Sequence, residues 1–177
     1  MNSGMTIQWC RRVGLLAAGI LLLAYADVIV LECVYKPLIR QHAVPVSVLL
    51  VPGFKAHVFW WHVAFLPFGI SMFVLLGIAG RDWRLAVSGI VLFATGWEDV
   101  AYYAIQWKLP PAEMAWLDLQ PGVAWTKMIL GTPHLTQNGL WLAAGAGGLV
   151  VFGVLSLPAK NKPPKRPSDI SPTTNPR

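Results

Sequence analysis

Charged and imidazole side chains are costly inside apolar segments, and this sequence keeps several of them there. Asp27 and Glu32 lie in one apolar run, His57 and His62 in a second, and the adjacent pair Glu98 and Asp99 in a third. His134 comes shortly before a fourth, in Gly131-Thr132-Pro133-His134. An acid at the middle of a membrane helix costs roughly 2.5–3.5 kcal/mol to insert, so ionisable residues in such segments generally serve a function.

Two chemistries are open to this set. Carboxylic acids in a low-dielectric surround act as general acids, general bases or proton carriers, and Asp27, Glu98 and Asp99 are the candidates for that work. Imidazoles and carboxylates drawn from separate helices are also the donor set of metal sites in helical bundles. His62, Glu98, His57, Glu32 and His134 are the candidate ligands, with a divalent metal as the expected ion. The sequence lacks the stronger metal signatures Glu-x-x-His and His-Glu-x-x-His. A bis-histidine haem or quinone site would draw on His62 with His57 or His134.

Each residue also has a plainer explanation. Glu32 stands four before Lys36, the spacing of a helical ion pair. His57 falls where the second run meets water. His62 suits a hydrogen bond to a neighbouring helix. Asp27 follows Ala24-Tyr25-Ala26, which resembles the end of a cleavable signal peptide, although the apolar run resumes at once with Val28-Ile29-Val30-Leu31 and favours a retained span. Glu98 and Asp99 are the hardest to explain away: no basic residue is near them in sequence, and Trp97, Tyr102 and Tyr103 surround them. Tyr102 is four residues after Glu98 and Tyr103 four after Asp99, so the phenols share their faces of the helix.

The elements that must hold these residues follow from composition. Of 177 residues, 55% are hydrophobic and 12% charged, too few charges to solvate an ordinary globule. The apolar residues gather into runs of about 20, the length of helix that crosses a bilayer. The expected architecture is an all-α integral membrane protein. A four-transmembrane-helix bundle occupies residues 1–158, with spans at about 13–34, 57–80, 85–107 and 139–157. Residues 159–177, rich in Lys, Pro, Ser and Thr, read as a disordered basic tail. Long loops cover 36–56 and 108–138. The second, opening at Pro110-Pro111-Ala112-Glu113, is expected to form short helices on the outer membrane surface.

Nine of the 14 Lys and Arg residues fall at the N-terminus, the 81–84 turn and the tail. That bias makes those three segments cytoplasmic and both termini internal, a multi-pass protein of the cell membrane. The net charge of +6 therefore reads as orientation and headgroup contact rather than nucleic-acid binding. Trp9 and Trp83 mark the inner boundary, and Trp60, Trp61, Trp107 and Trp141 the outer one. Cys10 and Cys33 lie about 34 Å apart along one helix, too far for a disulfide.

In this frame Asp27, His62 and Glu98 reach a common depth, about 20 Å above the inner face by the rise of a helix. Asp27, His62 and Glu98 or Asp99 are expected to converge on a cavity open to the outside, with Glu32, His57 and His134 at its mouth. Pro67 should kink the second span beside it. The fourth span carries small residues at Ala143, Ala144, Gly147 and Gly148, a face for the third span or for another subunit. The functional expectation is a metal-dependent or acid–base membrane enzyme for a lipid-like substrate. A non-catalytic accessory subunit and a small proton-linked transporter are the alternatives.

Overall fold

The computed structural model describes residues 3–35, 65–118 and 120–157. His57, His62, the whole of the loop 36–56 and the tail 159–177 lie outside these. Every regular element among the described residues is helical, and a lone antiparallel bridge joins Glu113 to Thr136. Helix α1 runs Ser3–Val28 and widens into a π-helical stretch, Ile29–Tyr35. Then come α2 (Leu66–Ala79), α3 (Trp83–Ala94), α4 (Trp97–Ile105), α5 (Pro121–Leu130) and α6 (Gln137–Ser156). Two segments, Thr6–Cys33 and Gln137–Ser156, are long and apolar enough to cross a membrane; α2 and α3 are apolar but shorter.

The helix ends follow local chemistry. Asp82 caps α3, its Oδ1 accepting from the Arg84 N–H at 3.3 Å. Thr136 caps α6 in the same way, accepting from the Gly139 N–H at 3.2 Å. Each cap satisfies one of the N–H groups that a helix start leaves without an internal partner. Pro67 lies in the first turn of α2, which directly follows Phe65, whose backbone is also helical. The kink expected beside His62 involves residues before Phe65, which lie outside the described residues.

α2 and α3 interlock through glycine notches. Gly69 faces the ring of Phe93, and a Cβ there would lie 2.8 Å from it. Gly89 and Gly19 make room for Phe73 from α3 and α1, and Gly77 lies against Ala86. Phe73 and Phe93 are consequently almost fully buried, in a core shared with Leu16, Ile20, Leu23, Leu85 and Val151. α6 contributes its small face as well: Gly147 leaves space for Thr95, and the Trp97 Nε1–H donates to the Ala144 carbonyl at 2.8 Å. The fourth apolar run thus uses this face inside the chain, against the third.

The third run is broken in two. An uninterrupted helix over 85–107 was expected from its continuous apolarity, yet α3 ends at Ala94 and α4 begins at Trp97. Gly96 sits between them at φ 83°, a left-handed conformation natural to glycine at a helix end. The carbonyls freed at the end of α3 are met from the second long loop: Gln120 Nε2 donates to Phe93 O at 3.4 Å and to Ala94 O at 3.5 Å. Gly122 packs so closely on the Ala94 carbonyl that a Cβ there would collide with it. The segment expected to lie on the membrane surface therefore plugs the break. It also builds a second core from Met114, Leu117, Val123, Leu135, Leu140 and Ala143.

Candidate functional site

The break places Glu98 and Asp99 in the first turn of α4. Acids at a helix N-terminus meet the positive end of the helix dipole, which offsets part of the cost of burying two carboxyl groups side by side. Glu98 is 2% exposed. Asp27, in the last turn of α1 just before the π-helical stretch, is 9% exposed. π-helical insertions occur frequently at functional sites.

α1 packs along α4, and this packing brings Asp27 to the pair. Glu98, Asp99 and Asp27 are near enough to repel one another electrostatically, and the phenol of Tyr103 lies within the field of all three. Tyr102 and Tyr103 stack edge to face with centroids 5.2 Å apart. Glu98 Oε1 and Asp99 Oδ2 are enclosed and accept no hydrogen bond among the described residues. Neither phenol donates to these two oxygens. Most buried polar atoms in folded proteins find a partner, so two orphan carboxylate oxygens at one place single this cluster out.

Glu32 is partly buried in the π-helical stretch, engaged in an interaction of its own. His134 is committed elsewhere: its Nδ1 lies 2.7 Å from Asp118 Oδ2. Asp118 had no sequence signal as a hub, yet its Oδ1 takes the Leu135 N–H at 2.7 Å and faces Lys127 Nζ at 3.4 Å. Burial disfavours charge on Asp118, but the hydrogen bonds from His134, Leu135 and Lys127 outweigh it and hold the carboxyl below its ordinary value. This knot ties the two ends of the second long loop together. Among the described residues, no group of three His, Cys, Asp or Glu side chains has the arrangement of a metal site. Of the candidate ligands, His57 and His62 lie outside the described residues.

A second polar constellation, also without a strong sequence signal, sits at the far end of α1. Arg12 Nη2 lies 2.6 Å from Asp82 Oδ2, and its Nε donates to the same oxygen at 2.7 Å. Arg12 and Arg84 are both buried there. Between α1, α4 and α6 runs an apolar groove of about 550 Å³, lined on α4 by Trp97, Val100, Ala101 and Ala104. Glu98, Asp99, Tyr102 and Tyr103 project from the other side of that helix, given about 100° per residue. The groove and the acids are separated by the body of α4. Compared with known proteins, the chain matches no family model, no curated protein and no solved structure.

Proposed function

We propose that this chain is a multi-pass membrane protein with four spans and both termini in the cytoplasm, and that Asp27, Glu98 and Asp99 form a proton-exchanging site in its outer half. The observation that carries the chemistry is Glu98, enclosed beside two other acids with an oxygen that no donor satisfies. An acid kept only to hold helices together would be expected to spend its oxygens on hydrogen bonds or a cation. An acid that gains and loses a proton needs a lone pair free for it.

The membrane reading is supported by what the long helices leave uncovered. Only 28% of the most apolar window of Thr6–Cys33 and 39% of that of Gln137–Ser156 is buried, whereas the core helix of a soluble protein would be enclosed. Leu22, Leu75, Ile78, Leu149 and Phe152 are all exposed, more apolar surface than soluble monomers commonly show. Arg11, Arg12, Arg81 and Arg84 gather at one end, the end that the positive-inside rule assigns to the cytoplasm. The break in the third run fits this frame, since irregular backbone at membrane depth is tolerated where protein covers it. Because α4 stands between the acids and the apolar groove, the acids handle protons rather than touch a molecule lying in that groove.

Extraction, labelling and metal analysis test the reading. Membranes containing the protein are washed with alkaline carbonate, and single cysteines at Val48 and Met128 are labelled from outside after Cys10 and Cys33 are replaced. Retention and outside labelling are expected; release, or labelling only after permeabilisation, overturns the topology. An apolar carbodiimide, which reacts with protonated carboxyl groups in apolar surroundings, should then label Glu98 or Asp99 less as pH rises. A divalent cation would satisfy the same free oxygens, so stoichiometric metal in the purified protein would replace the proton reading.

A further inference from the structure

At the end of the bundle away from the acids, α1 and the turn between α2 and α3 enclose a cleft of about 320 Å³. Its polar lining comes from Gln8, Arg11, Arg12, Arg81, Asp82 and Arg84. Four arginines against one aspartate leave a net charge of +3 within that lining. Asp82 is already committed, its Oδ2 to Arg12 at 2.6 Å and its Oδ1 to the start of α3, with Arg84 Nε 3.7 Å from Oδ1. Arg11 and Arg81 are exposed and have no acidic partner among the described residues. Arg81 is held at φ 49°, a left-handed conformation uncommon for a residue with a side chain.

Positive charges held this close repel one another unless an anion joins them. A guanidinium is planar and presents paired donors, which match the oxygens of a phosphate group two at a time. The cleft has the size of a small-ligand site. Trp83, 58% exposed, stands at its edge, and tryptophan is the residue that marks a headgroup boundary.

We propose that this cleft binds the phosphate of an anionic phospholipid in the cytoplasmic leaflet. The inference rests on the membrane orientation proposed above but not on the acid site. A zwitterionic lipid brings its own cation next to its phosphate, so a cleft with surplus positive charge selects against it.

The test uses the delipidated full-length protein, with phosphatidylglycerol and phosphatidylcholine offered in turn and retention read by native mass spectrometry. Wild type should retain phosphatidylglycerol preferentially. Arg11→Gln and Arg81→Gln lie outside the Arg12–Asp82 pair, so the double variant should melt like wild type yet lose the preference, by about fivefold for each arginine. An unchanged preference in that variant overturns the site. Displacement of phosphatidylglycerol by an equal concentration of inorganic phosphate would reassign the cleft to a free anion and overturn the lipid. If the protein is released by carbonate, the orientation itself fails; if it is retained but shows no preference, only the lipid site fails.

Discussion

The two ends of α1 treat charge in opposite ways. Near its start Arg12 meets Asp82 at 2.6 Å, both partly enclosed, and the same aspartate caps α3. About 22 Å further along the helix, Asp27 meets Glu98 and Asp99, three groups of like sign with two oxygens unsatisfied. The first arrangement makes use of every polar atom of its carboxylate and fastens α1 to the turn between α2 and α3. The second is held together by the packing around it. A buried acid with an oxygen that no donor satisfies is what the proposed proton site requires.

The sharpest way to separate the two ends is to neutralise one acid in each. Asp82→Asn can still cap α3, since Asn caps as well as Asp, but it strands the enclosed Arg12. A loss of about 3–5 kcal/mol is expected, as for other buried pairs deprived of one partner, read as a large fall in melting temperature in detergent. Gly122→Ala drives a methyl into the Ala94 carbonyl and should cost up to about 3 kcal/mol, by dislodging the plug that covers the break next to Glu98.

Asp118→Asn should cost less, about 1–2 kcal/mol for its charged hydrogen bonds. Because the Asp118 carboxyl is held below its ordinary 3.8, its contribution is present above that pH and is lost as pH falls through the lowered value. Melts should therefore show a constant gap between wild type and variant from neutral pH down to about 4, closing in stronger acid. Glu98→Gln should have the smallest effect. It removes like-charge repulsion and keeps the volume, so the melting temperature should hold or rise; a clear fall would make Glu98 a structural acid like Asp82.

Some of this was readable from the residues alone. Apolar run length placed α6 to within two residues, and the unaccompanied charges of Glu98 and Asp99 pointed to the cluster because nothing nearby in sequence could neutralise them. The break at Thr95-Gly96 was missed because hydropathy does not register it, although a glycine with two acids in the turn that follows it is the ordinary signature of one helix ending and another starting. Asp118 and Gln120 were invisible for a different reason. Lys127 is nine residues from Asp118 and their other side-chain partners lie 16 or more away, and a polar residue in a loop carries no periodic signal. His134, singled out by its residue type, bonds Asp118 through Nδ1, a partner that its place in the sequence did not foretell.

Proton exchange between the acid cluster and the outer medium, as proposed above, is read by pH-difference infrared spectroscopy of the protein in lipid bilayers. A carboxylic-acid carbonyl band is expected that responds to pH, is lost or displaced in Glu98→Gln, and changes in Asp99→Asn and Asp27→Asn because the three groups share one field. Identical pH-difference spectra for wild type and Glu98→Gln would contradict it, and would leave the cluster as buried acids with no proton to trade.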